Sequence, residues 1–238
     1  MTEELKKVLA DGLTGLGLSP TQGQIDQLAL YCDRLLEKNQ VMNLTAITEP
    51  KDVATLHLLD CAALLAMHPL QGKSVVDVGT GAGFPGMVLR ILEPDFDLTL
   101  LDSLGKRIIW LDETCRQMGL ERVECIHARA EEFAAQRREQ FDVATSRAVA
   151  DLPLLSELAL PLVKVGGQFI AMKSVESDEE INRARGAIGQ LGGKVAAVED
   201  YTIPGTDVKH RLVVIEKIRP TPPQFPRAWA KIKKSPLK

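Results

Sequence analysis

The stretch that most constrains this chain is Asp77-Val78-Gly79-Thr80-Gly81-Ala82-Gly83-Phe84-Pro85-Gly86. It follows a β-branched run, Ser74-Val75-Val76, and opens a helical stretch from Pro85 to Leu92. A glycine loop between a strand and a helix belongs to an open α/β sheet, which binds ligands outside the carboxyl ends of its strands. Glycine permits the sharp turn and lets a ligand lie against the backbone. The helix behind the loop is expected to offer unpaired N–H groups to anionic parts of that ligand. The spacing Gly81-x-Gly83-x-x-Gly86 satisfies the dinucleotide fingerprint, as would a purely structural glycine turn. Asp77, two residues before the first glycine, sharpens the choice. An acid just under the loop suits a ligand with an ammonium or sulfonium and repels a pyrophosphate. A methionine-derived cofactor is therefore favoured over a nicotinamide dinucleotide.

From residue 73 onward, β-branched runs alternate with helical stretches. Strands are expected at Leu98–Leu101, Arg122–His127, Phe141–Thr145 and Gln168–Met172, with helices at Leu104–Met118, Ala130–Ala135 and Leu152–Val163 between them. This order implies a parallel sheet covered on both faces. A helix near Asp178–Leu191 leads to two further strands, Lys194–Thr202 and Arg211–Ile218. Their linker, Ile203–Asp207, is too short for a crossover helix, so they should pair antiparallel. The first 70 residues look helical. Ser19-Pro20 reads as a helix start, and Ile25, Leu28, Cys32, Leu35 and Leu36 recur at helical spacing. After a break at Asn39–Asn43, Pro50 opens a second helix. The expected organisation is a helical extension over 1–70 packed on a ligand-binding α/β domain over 71–218, with a tail over 219–238.

The net charge of -3 conceals an asymmetry. From Lys217 to the end there are seven basic residues and no acid, which leaves 22 basic against 32 acidic residues in the body. Such a tail suits a polyanionic partner or is simply solvated. It holds Pro220, Pro222, Pro223, Pro226 and Pro236, so regular structure is not expected over most of it. No apolar run reaches the length of a membrane span, and Met1–Ala10, with Glu3 and Glu4 ahead of Lys6 and Lys7, is amphipathic rather than a secretory signal. A cytosolic protein that does not enter membranes is expected. Cys32, Cys61, Cys115 and Cys125 lack metal-ligand spacing and read as reduced core thiols, with no metal site.

Three further positions fall at strand ends. Asp102, after the second strand, can accept both hydroxyls of an adenosine ribose or cap the helix that follows. Ala130 and Glu131, after the third, can reach an adenine edge, while Glu132 reads as an ordinary acidic first turn. Thr145-Ser146-Arg147-Ala148, after the fourth, lies where a methyl acceptor would meet a sulfonium. It lacks the Asn/Asp-Pro-Pro-aromatic signature of many amino-methylating enzymes, and Arg147 is a pure donor for a carboxylate, phosphate or carbonyl oxygen. His57, His68, His127 and His210 are scattered and read as structural or surface residues. No catalytic base is expected, because a ring nitrogen with a lone pair attacks a methyl sulfonium directly and needs only to be held in line.

With these residues in place, the chain resembles the bacterial glucose-inhibited division protein B family, the methyltransferases of small-subunit ribosomal RNA. The resemblance runs from about Leu28 to Leu237. It is carried by Met42-Asn43-Leu44-Thr45, the glycine loop, Leu101-Asp102-Ser103-Leu104-Gly105-Lys106-Arg107, Arg129-Ala130-Glu131-Glu132-Phe133 and Ser146-Arg147-Ala148. It implies a class I S-adenosylmethionine-dependent methyltransferase fold, Rossmann-like, with a mostly parallel seven-stranded sheet whose last strand is antiparallel. It also implies methyl transfer to N7 of one guanine in 16S rRNA. The implied cofactor-binding set is Asp77, Gly79, Gly81, Gly83, Phe84, Asp102, Ser103, Ala130, Glu131 and Arg147, with no catalytic residue and no metal. The partner is 16S rRNA or the small subunit, met by a monomer. Candidate RNA contacts are Lys106, Arg107, Lys173, Lys209, Arg211 and the tail, where Trp229 either stacks on a base or packs on the domain. The chain departs from the family at Lys38-Asn39, where Trp-Asn is frequent, and at Ala228–Lys234, which lacks the glycine-proline of extended members. The residues alone also admit a methyltransferase for a small molecule or protein, a nicotinamide-dependent oxidoreductase, and a non-enzymatic RNA-binding module.

Overall fold

A computed structural model describes residues 2–147 and 149–238. Helices α1 (Glu3–Gly15) and α2 (Gln22–Met42) come first. α3 (Pro50–Asp52) runs through a π-helical stretch, Val53–Leu59, into α4 (Asp60–Met67). The alternation that follows is β1 (Ser74–Val78), α5 (Gly86–Leu92), β2 (Asp97–Asp102), α6 (Gly105–Gln117), β3 (Val123–His127), α7 (Ala130–Gln136), β4 (Phe141–Arg147), α8 (Leu152–Ala159), β5 (Val163–Ser174) and α9 (Asp178–Gln190). The strands β6 (Gly193–Thr202) and β7 (Lys209–Lys217) and the short α10 (Trp229–Lys234) complete it.

The sheet order is β3-β2-β1-β4-β5-β7-β6. Strands β1 to β5 pair in parallel, and β7 runs antiparallel to both β5 and β6. The antiparallel last strand and its pairing with β6 are as the sequence predicts. Its insertion between β5 and β6 follows from burial. Leu212-Val213-Val214-Ile215 is apolar throughout and buried on both faces, whereas β6 alternates exposed and half-buried residues as an edge strand does. Because the chain turns one way from β1 and the other way from β4, the crevice between their carboxyl ends is the switch point of the sheet.

Alternate strand residues feed two cores. Val75, Leu100, Val143 and Ile170 join α1, α2, α4, α5 and α6 on one face. Val76, Leu101, Ala144 and Ala171 join α7, α8, α9 and α10 on the other. The amino-terminal helices are thus part of the first core, with Leu9, Leu13, Leu28 and Leu35 fully buried. Helix α2 starts two residues later than Ser19-Pro20 suggests. Thr21 and Gln24 form a reciprocal capping box there, which satisfies amides that Ser19 does not reach. Gln24 also donates to the carbonyls of Ile91 and Leu92 at the end of α5, 3.1 and 2.7 Å away.

The tail is irregular over most of its length, as its prolines predict, but it is not loose. It carries a six-residue helix and buries Phe225 and Ile232 in the second core. Lys217, at the end of β7, is fully buried. Its Nζ donates to the carbonyls of Leu160 and Val163 at 2.6 and 2.9 Å and pairs with Glu139 at 3.0 Å. Replacing it by Met removes both of these hydrogen bonds and the Glu139 ion pair, although the Leu160 carbonyl keeps the Val163 amide. Lys217→Met is therefore expected to lose roughly 1–3 kcal/mol of stability in urea titration, and an unchanged midpoint would refute that role.

Candidate active site

The carboxyl ends of β1, β2, β3 and β4 surround a cleft of about 480 Å3, within the roughly 300–1,000 Å3 of small-ligand sites. Of the ten sequence-derived positions, Gly79, Gly81, Phe84, Asp102, Ser103, Ala130, Glu131 and Arg147 line it. Asp77 and Gly83 lie behind the loop instead. Ala148 falls outside the described residues.

Asp77 is fully buried, where a carboxylate needs compensating donors. Its Oδ2 accepts from the Thr80 hydroxyl at 2.6 Å and from the Gly86 amide at 2.9 Å. The first amide of α5 is thereby taken by Asp77, which corrects the expectation that this helix end faces a ligand. Oδ1 is buried with no hydrogen-bond partner among the described residues, and burial pushes the carboxyl up to about 6 despite the Thr80 and Gly86 hydrogen bonds. Asp77 thus acts as a brace beneath the loop, and its unpartnered oxygen favours a cation nearby. Gly83 is equally structural. A Cβ there would lie 2.5 Å from Met87 and 2.6 Å from the Tyr31 hydroxyl, which itself donates to the Ala82 carbonyl.

The cleft-facing glycines differ. Gly81 has φ +60, and a Cβ on it would meet nothing closer than 3.9 Å, so its open side is the cleft. Its amide donates to Oδ2 of Asp102 at 2.9 Å, while Oδ1 accepts from the Leu104 amide at 2.8 Å. Asp102 therefore holds the turn before α6, whose N-cap is Leu104 with no side-chain cap, and it fronts the cleft. Arg107 approaches the same carboxylate at 3.4 Å. At the end of β3, Glu131 accepts from Arg129 Nε at 2.6 Å, and the Arg129 guanidinium lies 4.6 Å from the Trp229 ring centre.

Arg147 is held by the amino-terminal helices. It donates to Asp60 Oδ2 at 3.0 Å and to the Leu56 carbonyl at 3.2 Å, and it lies over the Phe84 ring at 4.8 Å. Its other nitrogen meets His57 Nδ1 at 2.9 Å. A guanidinium can only donate, so Nδ1 accepts and the ring proton sits on Nε2, which donates to Thr45 Oγ1 at 2.8 Å. Burial and then Arg147 depress His57 to about 4, so the ring is neutral near pH 7. Asp60 is itself buried and also accepts from Tyr201 and His210, each at 2.7 Å.

Sequence reasoning missed Thr45 and His57, both of which line the cleft. The signal was Met42-Asn43-Leu44-Thr45. Asn43 ends α2 in the left-handed conformation, and the Asn39 side chain clamps the Leu44 and Thr45 backbone at 2.6–2.9 Å. Three expected RNA contacts are engaged within the protein, Arg107 with Asp102 among them. Lys173 pairs with Glu180 and the Ala150 carbonyl, and Arg211 lies between Asp200 and Asp178. Lys106 and Lys209 are exposed.

The family model described as rRNA small subunit methyltransferase G (GidB) matches residues 24–208. The chain belongs to this family. It is 46% identical to the Ribosomal RNA small subunit methyltransferase G of Clostridium perfringens, over 94% of the chain and 95% of that protein. It is 47% identical to the protein of that name from Alkaliphilus oremlandii, over 99% and 100%. Among solved structures, TrmN from Thermus thermophilus matches with a TM-score of 0.52 and 21% identity, covering 66% of the chain and 48% of the longer protein. TYW2 of M. jannaschii in complex with AdoMet matches with a TM-score of 0.52 and 16% identity, covering 63% and 71%. These two likenesses concern the fold, that of class I methyltransferases.

The residues present fit S-adenosylmethionine. Open glycine backbone at Gly81, a carboxylate on the cleft wall at Asp102, donors at Arg147 and a buried carboxylate oxygen without a partner under the loop are compatible with a cationic adenosyl amino acid.

The two glycine roles separate by measurement. Gly81→Ala should weaken cofactor binding while lowering stability by only about 1–2 kcal/mol. Gly83→Ala adds severe overlap and should cost several-fold more in denaturant titration; equal losses would contradict the assignment. His57 makes a pH prediction. Its pKa is lower folded than unfolded, so its contribution is present above about 6.5 and is lost as pH falls towards 4. The stability difference between wild type and His57→Asn should shrink across that window, and a flat difference would contradict a buried neutral ring.

Proposed function

We infer that this chain transfers a methyl group from S-adenosylmethionine to N7 of a guanine in 16S rRNA, as a cytoplasmic monomer. One observation carries the reading. The cleft at the switch point has the Asp102 carboxylate on one wall and Phe84, Arg147, His57 and Thr45 on another, and among the described residues of that second wall no side-chain base is free. His57 Nδ1 is engaged by Arg147 and its other nitrogen by Thr45. Asp102 and Glu131 belong to the β2 and β3 ends of the cleft. A site without a free base suits an acceptor atom that brings its own lone pair, as guanine N7 does. Family membership over nearly the full length adds the small-subunit rRNA.

When bound, S-adenosylmethionine supplies an activated methyl on a sulfonium. Asp102 would hold the ribose hydroxyls with lone pairs left by Gly81 and Leu104. Arg147, fixed by Asp60 and His57, retains donors for a carboxylate or a carbonyl oxygen. Phe84 packs between Arg147, His57 and Tyr31 and excludes water from the methyl end. Rate enhancement then comes from alignment of the two reacting groups. The acidic body, which repels copies of itself, supports the monomer.

Incubation with labelled S-adenosylmethionine and small subunits lacking the modification should label one 16S guanine, detected by strand cleavage at 7-methylguanosine. No transfer to subunits or to naked rRNA would sink the reading. Asp102→Asn should weaken cofactor binding about tenfold without moving the methylated position.

A further inference from the structure

The tail is fastened by contacts that a solvated segment would not make. Ile218 and Arg219 donate to the Gly192 carbonyl at 2.9 and 3.1 Å. Arg138 donates to the carbonyls of Pro222 and Phe225 at 3.0 and 2.7 Å. Arg227 grips Glu157, a carboxylate of α8 with no exposure at all, through Nε at 2.8 Å, a terminal nitrogen at 2.6 Å and its own amide at 2.9 Å. Breaking such a pair strands a buried charge. Beyond it, Ile232 is fully buried, and the Lys238 carbonyl accepts from Gln190 of α9 at 2.9 Å. Everything about this course fixes where Trp229 lies: on the cleft wall, facing Arg129.

Which end of the cleft this is follows from the shape of an adenosyl amino acid, in which the ribose joins the base to the amino-acid chain. Asp102 sits between two sets of walls. Gly79 follows β1 and Arg147 ends β4, and Ala130 and Glu131 follow β3. A ribose on Asp102 with its amino-acid end towards Gly79 and Arg147 sends its base towards Ala130. Trp229, through Arg129, belongs to that end. The methyl and its acceptor belong to the other.

We propose that the docked tail is a structural wall of the cofactor pocket, and that Trp229 stacks against the adenine of S-adenosylmethionine, with Arg129 behind it. The inference rests on the cofactor reading above and assigns it a further binding residue. It lies in the segment where this chain departs from the family pattern, Ala228–Lys234. Tail docking thereby becomes a condition of cofactor affinity: a pocket missing this wall exposes the base to water on one side. The Lys231, Lys233 and Lys234 side chains on the same helix remain exposed, outside the stack.

The full chain tests this with S-adenosylmethionine and naked 16S rRNA as probes. Trp229→Ala should weaken cofactor binding about five- to tenfold by calorimetry, as loss of an aromatic stack does. Trp229→Phe should recover most of it, and the affinity of either variant for rRNA should stay within about twofold of wild type. The chain has two tryptophans, and Trp110 is buried against Tyr31. Cofactor should therefore quench wild-type fluorescence and leave that of Trp229→Phe nearly unchanged, which decides the matter even if Trp229→Ala folds poorly. Unchanged cofactor affinity in Trp229→Ala, or an equal quench in Trp229→Phe, overturns the proposal. Loss of rRNA affinity with cofactor affinity intact overturns it in favour of an RNA-stacking tryptophan. Wild type that fails to bind S-adenosylmethionine overturns the cofactor reading itself.

Discussion

The site depends on one buried carboxylate. Asp77 lies one residue before the end of β1 with no exposure, and the residues that follow are shaped around the donors it requires. Thr80 folds back to give its hydroxyl, and Gly86 gives the first amide of α5. An unpaired ion in this position would cost several kcal/mol, so the loop has little freedom to adopt another course. Asp102 draws the Gly81 amide from the opposite side. The loop is thus held between two acids, one beneath it and one beside it, and it presents backbone to the cleft before any ligand arrives.

The helical extension is a working part of this arrangement. Tyr31 of α2 supports the loop at Ala82 and stands where a side chain on Gly83 would fall. The π-helical stretch turns His57 and the Leu56 carbonyl towards Arg147, and Asp60 supplies its counter-charge. Such π stretches often mark functional sites. On the other face, α8 supplies Glu157, which anchors the tail. The glycine loop and Arg147 are therefore each held by a hydrogen bond or charge pair from an element remote in sequence.

That remoteness explains what could be read in advance. The order of strands and helices was legible because periodicity is local, and the antiparallel last pair because Ile203–Asp207 is too short for a crossover. Asp102 and the glycine loop were legible because each lies at the end of a strand. The side of the loop taken by Asp77 was not, since an acid before a glycine reads the same above it or beneath it. His57 carried no local signal: its partner Arg147 is 90 residues away. Arg227 lies 70 residues from Glu157, so composition left a polyanion-binding or a solvated tail open and carried no signal for the buried pair that docks it. Lys173 and Arg211 showed the converse, as basic residues whose charge is spent within the protein.

The central claim is that the cleft is preformed, with Asp102 as its midpoint. A crystal structure of the protein with S-adenosylmethionine bound tests it most directly. The ribose hydroxyls are expected within hydrogen-bond distance of Asp102, the amino-acid end beside Gly79 and Arg147, and the loop from Asp77 to Gly86 with its Thr80 and Gly86 hydrogen bonds to Asp77 intact. A cofactor bound in the reverse direction, or a loop that releases Asp77 to admit it, would contradict the account.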